Sequence, residues 1–245
     1  MTNITCIGKS DVGTIRPDNE DAFLILPERG VVTVADGMGG HASGEVASRT
    51  FVDTVREVFD RVEEPSGQET VDLTREAYRL ANERILKQAG ENPGHQGMGC
   101  TAEVMVFSRD TFVVGHVGDS RTYRFRQREL RQVTRDHTVV QEQLDHGLIT
   151  PEEVRRHPHR HIISRAVGMG DSLAVDLVRG KCLPGDLFLL CSDGLYDMVE
   201  DDSIREVLSL PLDLERKAER LIESAKEGGG HDNITVVLAE VRSTP

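Results

Sequence analysis

VADGMGGHASGE, residues Val34–Glu45, is the stretch on which the reading of this chain turns. The apolar run Gly30–Ala35 leads into it and a helical pattern leaves it, so a buried strand ends on the carboxylate of Asp36, with Gly37, Gly39 and Gly40 close behind. A turn needs one or two glycines. Three beside a carboxylate indicate a backbone that must come close to an ion or a phosphate.

Outward from that stretch, the pattern alternates between short strands and amphipathic helices. Residues 3–9, 21–26 and 30–35 read as β-strands separated by turn residues. A helix should follow, with Val46, Phe51, Val55 and Phe59 on one face and Ser43 as a cap, then a second over 71–89 carrying Leu73, Ala77, Leu80, Ala81 and Ile85 at helical spacing. Strands at 100–107, 111–117 and 121–125 are closely spaced, which predicts an antiparallel meander. From Asp136 to His161 the chain turns polar, with two short helical pieces and the run RRHPHRH, and reads as an insertion over a surface. Strands resume at 162–166, 172–179 and 186–191, helices at 202–208 and 213–226, and a strand at 233–241 closes the pattern. Two sets of strands, each followed by a helix pair, predict an α+β sandwich with helices outside and sheets inside, forming one domain over residues 1–245.

Composition narrows the function. With 42 acidic against 29 basic residues and a formal charge of −13, the chain lacks the clustered cations that a nucleic-acid backbone requires. No apolar run is long enough to span a membrane, and the N-terminus lacks the basic and apolar segments of a signal peptide, so the expected location is the cytoplasm. Cys6, Cys100, Cys182 and Cys191 are scattered, form no C-x-x-C pair, and are expected to be reduced and buried.

Four aspartates share one context: Asp36 in VADGMGG, Asp119 in VGDSR, Asp193 in LCSDGL and Asp232 in HDNITVV, each at the end or start of an apolar strand. One Asp-Gly alone is a turn. Four at strand ends, set side by side, would repel one another and so require cations. Carboxylate oxygens without cysteine ligands select Mg²⁺ or Mn²⁺. Two such ions about 3.5–4 Å apart can share a water, lower its pKa and aim it at phosphorus, with Asp36 as the bridge and the Gly37 carbonyl as an added ligand. The segment DVGTIRPDNEDAF offers Arg16 as a phosphate partner and Glu20 as a water-mediated ligand of the second ion, although a solvated charged loop accounts for the same residues.

Together, VGTIRPDNEDAF, VADGMGGHASGEVAS, GCTAEVMV, HVGDSRTYRF, VTRDHTVV, ISRAVG, GDLFLLCSDGLYDMV and HDNITVVL resemble the bacterial metal-dependent protein phosphatases of the protein phosphatase 2C (PPM) family, in motif order from about Ile7 to Val241. The resemblance implies a four-layer α-β-β-α sandwich of two antiparallel sheets with flanking helix pairs. It also implies hydrolysis of phosphoserine and phosphothreonine with Mn²⁺ or Mg²⁺. Carried over, Asp36 resembles the bridging ligand, Gly37 its carbonyl helper, and Asp193 and Asp232 ligands of the first metal. Glu20 resembles a ligand of the second through water, Asp119 with Asp193 the holders of a weaker third ion, and Arg16 the phosphate-binding arginine. Animal relatives place a histidine directly after the Asp-Gly as general acid, whereas this chain has Met38 there; His41, three residues on, is the candidate replacement beside a water, and a solvent-facing histidine is the plainer reading. The insertion at about 136–161 corresponds to the family's flap, with Arg160 and His161 as candidate substrate contacts; His157, His159 and His161 alternate, but no supporting cluster makes them a zinc site.

Other phosphatase chemistries lack their residues. The positions six after the four cysteines hold Val12, Val106, Phe188 and Asp197, so no C-x-x-x-x-x-R nucleophile exists, and neither D-x-D-x-T nor a phosphate loop is present. A catalytically silent regulator that binds phosphoproteins is the alternative, and would be expected to lack the metal ligands. A monomer that opposes a bacterial serine/threonine kinase is the expected setting.

Overall fold

The structure, a computed structural model, describes residues 3–39, 43–63 and 65–242. Strand β1 (Ile4–Asp11) is followed by β2 (Asp21–Leu26), β3 (Val31–Met38), helices α1 (Ser43–Asp60) and α2 (Gln68–Glu91), then β4 (Gly99–Cys100), β5 (Ala102–Ser108) and β6 (Thr111–Val117). Next come β7 (Arg121–Arg126), β8 (Glu129–Gln132), α3 (Val139–Asp145), α4 (Pro151–Arg156) and β9 (Asp176–Lys181). The remainder is β10 (Leu187–Cys191), α5 (Asp193–Tyr196), α6 (Asp201–Ser209), α7 (Leu214–Glu227) and β11 (Ile234–Val241). One sheet runs β1-β11-β10-β7-β8; the other runs β2-β3-β5-β6-β9, with β4 against β3. Every named strand pair is antiparallel.

The central strands are apolar on both faces because both faces are covered. On β3, Val31 and Ala35 pack with α1 and α2 while Val32 and Val34 face the other sheet. On β11, Ile234, Val236 and Leu238 meet α7 while Val237, Ala239 and Val241 fill the seam between the sheets. That gives four layers, helix pair, sheet, sheet, helix pair. The Phe51 ring of α1 meets Tyr78 of α2 edge to face at 5.1 Å, and Phe188 sits 5.5 Å from Phe107 and 5.1 Å from Phe112 across the seam. Truncating a fully buried ring such as Phe51 to alanine costs about 3–5 kcal/mol.

Several expectations shift. Ser43 opens α1 as its first helical residue. The strand expected at 100–107 breaks at Thr101, whose amide donates to the Asp36 carbonyl at 2.9 Å and whose hydroxyl accepts the Asp36 amide at 3.1 Å. The expected meander is only half formed: β5 and β6 pair, but β7 leaves for the other sheet, because Gly118 takes φ +104° and turns the chain over. Residues 162–166 do not build a strand; Ile163 makes a single bridge with Thr138 of the insertion, and Val167 just beyond makes one with Cys100 of the body. The insertion does contain two short helices, α3 and α4, the second opened by a capping box between Thr150 and Glu153. The four cysteines are free thiols, Cys6 half-buried and the others buried. No described helix is long and apolar enough to cross a membrane.

Candidate metal centre

Sheet register brings the carboxylates together. Asp21, first residue of β2, lies directly opposite Asp36 on β3. Asp193 follows β10 as the first residue of α5, Asp232 precedes β11, and Asp119 occupies the crossover from β6 to β7. Both sheets therefore contribute to one edge. Burial pushes Asp36 well above the usual carboxylate range, and the charges of Asp21, Asp193, Asp119 and Asp232 add to it. Burial, with the charges of Asp119, Asp197 and Asp232, raises Asp193 well above its ordinary value; burial with the charges of Asp136 and Asp197 lifts Asp119 to about 7, and burial with the charge of Asp232 lifts Asp21 to about 6. Like charges taken out of water without counter-ions produce this pattern.

The donor set fits divalent cations. The Asp193 Oδ1 and Asp21 Oδ1 atoms are buried and meet no hydrogen-bond donor. Orphaned carboxylate oxygens of this kind call for a ligand, and hard oxygen donors match Mg²⁺ or Mn²⁺. Gly37 is confined for a steric reason: a Cβ there would collide with the carbonyls of Gly44 and Glu20. The Gly37 amide donates to the Glu20 carbonyl at 3.1 Å, which fixes β3 against the segment before β2. Glu20 has its carboxylate at the start of α1, where burial raises its pKa and the Gly44 amide and Arg16 counter that rise.

Arg16 Nη2 donates to Asp232 Oδ2 at 2.6 Å, with half of its side chain exposed, and also lies within reach of the charges of Asp193 and Asp36. A guanidinium anchored to the acidic cluster yet open to solvent is placed to meet a phosphate. His41 falls at residues 40–42, outside the described residues. His161 Nδ1 lies 3.1 Å from Asp197 Oδ2, and the ligand atoms of His161, Asp193 and Asp197 all fall within 4.8 Å of one another. Arg160 and His161 line a cavity of about 520 Å³ between the insertion and the body, shared with Asp119 and Asp197. His157 and His159 meet edge to face, centroids 5.5 Å apart, and neither belongs to that trio.

Sequence reading passed over three residues here. Asp21 was one charge in a charged run. Asn233, quoted in HDNITVV without a role, accepts the Glu20 amide at 2.8 Å and donates to the carbonyls of Val12 at 3.0 Å and Asp18 at 2.9 Å, so one side chain threads the loop that carries Arg16. Ser192 donates to Asp21 Oδ2 at 2.7 Å while accepting the Thr235 amide at 3.0 Å, which joins the two sheets beneath the cluster.

A sandwich of two antiparallel sheets thus gathers at one edge a set of carboxylates that can hold divalent cations. The chain belongs to the protein phosphatase 2C family, whose model matches residues 15–235. It is 42% identical to the serine/threonine protein phosphatase PstP of Mycobacterium tuberculosis, covering 98% of this chain but only 46% of that protein's length. It is 34% identical to the protein phosphatase PhpP of Streptococcus pneumoniae, over 95% of both chains. Among solved structures, that of Mycobacterium tuberculosis PstP/Ppp superposes with a TM-score of 0.92 at 40% identity, covering 98% of this chain and 99% of that one. A PstP catalytic domain in complex with two manganese ions gives 0.89 at 39% identity, covering 98% and 99%.

Proposed function

We propose that this chain is a serine/threonine phosphoprotein phosphatase that uses two Mn²⁺ or Mg²⁺ ions, with a third held more weakly. The observation that carries the reading is the cluster of Asp21, Asp36, Asp119 and Asp193, raised together and including two orphaned oxygens, with a half-exposed guanidinium at its rim. In this reading Asp36 would serve both ions with the Gly37 carbonyl as an added ligand, Asp193 and Asp232 would hold the first, Glu20 the second through water, and Asp119 with Asp193 the third. When bound, the ions supply Lewis acidity that activates a water and neutralises charge on the phosphoryl group.

The chain's own residues do the rest. Arg16 takes the phosphate in its guanidinium fork, and Asp232 fixes the orientation of that fork. His41 is assigned the proton for the leaving alkoxide, since Met38 carries none to give. Arg160 and His161 of the flap, residues 136–161, contact the phosphoprotein beside the phosphate. Residues 1–245 act as one domain, monomeric and cytoplasmic, on substrates of a bacterial serine/threonine kinase.

Hydrolysis of p-nitrophenyl phosphate with Mn²⁺, with Mg²⁺ and with excess chelator is the test. Turnover that requires metal and disappears with chelator is the expected result. Absence of turnover under either metal sinks the reading and favours a silent phosphoprotein-binding regulator.

A further inference from the structure

Behind the acidic edge lies a line of buried polar side chains that the chemistry above does not use. Glu103 on β5 and His116 on β6 are both fully shielded from solvent. The Glu103 carboxylate pairs with His116 Nδ1 and accepts the Thr122 hydroxyl of β7. His116 Nε2 lies 2.8 Å from the Arg135 carbonyl, which can only accept, so that nitrogen carries a proton. Its ring stacks on His137, centroids 4.4 Å apart.

His137 belongs to VTRDHTVV, a motif still without a role. Its Nδ1 lies 3.1 Å from the Gly118 amide, a group that can only donate. Nδ1 is therefore bare, so the neutral ring carries its proton on Nε2, which faces Asp176 Oδ2 at 3.2 Å and lies 3.3 Å from Arg165 Nη1, itself bonded to Asp176 at 3.0 Å. Burial and the neighbouring His116 hold the ring below its ordinary pKa, in keeping with a neutral imidazole. The backbone completes the clamp: the His137 amide donates to the Gly118 carbonyl at 2.7 Å, and the Ser164 amide donates to the His137 carbonyl at 2.7 Å.

We propose that His137 is a positioning residue, whose bare Nδ1 pins the Gly118 peptide and so fixes Asp119 relative to the base of the flap. Gly118 has no means of its own to hold this turn, since its φ of +104° and the closeness of Thr101 leave no room for a side chain. On the other flank Thr101 touches Ser120, hydroxyl to hydroxyl at 2.7 Å, and accepts the Asp36 amide. The Asp119 turn is thus held between a residue that frames Asp36 and a residue that anchors the flap. Without the ring nitrogen, the Gly118 amide is left buried and unpaired, and the turn rotates to find another partner.

The role rests on the phosphatase reading, and its test separates the two. Asparagine places an oxygen where Nδ1 stood, whereas glutamine reaches the Nε2 position facing Asp176. His137→Asn, His137→Gln and His137→Leu in the full chain should be compared at saturating Mn²⁺. Expected for p-nitrophenyl phosphate are a kcat within about threefold of wild type for His137→Asn and a loss of about tenfold or more for the other two, with KM nearly unchanged. Amide exchange of Gly118, followed by NMR without reference to activity, should stay slow in wild type and His137→Asn and become fast in His137→Gln. Equal behaviour of the asparagine and glutamine variants in both readouts, or a leucine variant that matches wild type, overturns the role. An inactive wild type whose Gly118 exchange still separates asparagine from glutamine would end the phosphatase reading and leave the positioning role standing. If the leucine variant does not fold, the asparagine and glutamine pair decides.

Discussion

Glu103 on β5 lies opposite Val34 of β3, two residues before Asp36, yet this lone carboxylate and the acidic cluster at the sheet edge are built on opposite terms. Glu103 has its oxygens occupied by the His116 ring and the Thr122 hydroxyl. Burial alone would lower the His116 pKa, but the Glu103 carboxylate beside it raises it above its ordinary value. At the sheet edge, Asp36 meets Asp21, Asp193, Asp119 and Asp232, and two oxygens there have no donor. Satisfied charge inside a protein is architecture, and unsatisfied charge is a request for a ligand. The same chemical group, a carboxylate, serves both purposes, and only its partners tell the two apart.

The sharpest way to break that contrast is Asp193→Ala. Turnover should fall by on the order of 10²–10³ or more. The melting temperature in metal-free buffer should hold or rise, because a repelling carboxylate has gone. A large metal-free destabilisation would move Asp193 into the architectural group. Glu103→Ala should do the reverse. It strands His116 in the seam and should cost about 3–5 kcal/mol in a denaturant titration, while the molecules that remain folded keep their turnover. A loss below about 1 kcal/mol would show that the pair is not a structural element.

A smaller effect follows from pH. Burial pushes Asp21 up to about 6 and Asp119 up to about 7, above the ordinary carboxylate range. The folded state therefore holds more protons than the unfolded chain between about pH 4 and pH 7, so the metal-free protein should lose stability as pH rises through that window. Melting curves at pH 5 and pH 7.5 with chelator should show the higher midpoint at pH 5. Saturating Mn²⁺ at pH 7.5 should close the gap. A metal-free protein that is more stable at pH 7.5 would contradict the picture of unscreened repulsion.

How much of this the sequence carried follows from what each residue does locally. Asp36, Asp119, Asp193 and Asp232 stand out because an apolar run stops or starts at each one, beside a glycine or an amide-rich turn. Asp21 does not, because its importance comes from facing Asp36 across β2 and β3, a matter of register. Asp197 joins the site only through the fold of α5, a four-residue helix too short to leave a period. The helices were legible from their stripes: Ala218, Leu221, Ile222 and Ala225 of α7 are buried as spaced. Strand β8, with the sequence ELRQ, lacks an alternating apolar face and went unseen. The apolar letters of 162–166 misled in the other direction, since only Ile163 pairs there, in a single bridge with Thr138.

The order in which the chain visits the two sheets has a bearing on its synthesis. Starting in the first sheet with β1, the chain builds β2, β3, β5 and β6 in the second, returns for β7 and β8, crosses again for β9, and ends in the first with β10 and β11. Strand β11, the last of those described, slots between β1 and β10 and brings Asp232 and Asn233 with it. Until that strand leaves the ribosome, β1 has no neighbour in its sheet, the loop bearing Arg16 lacks its side-chain anchor, and the acidic edge is incomplete. A nascent or truncated chain that lacks this strand is therefore without the Asp232 partner of Arg16 and the Asn233 side chain that ties the loop to the sheet.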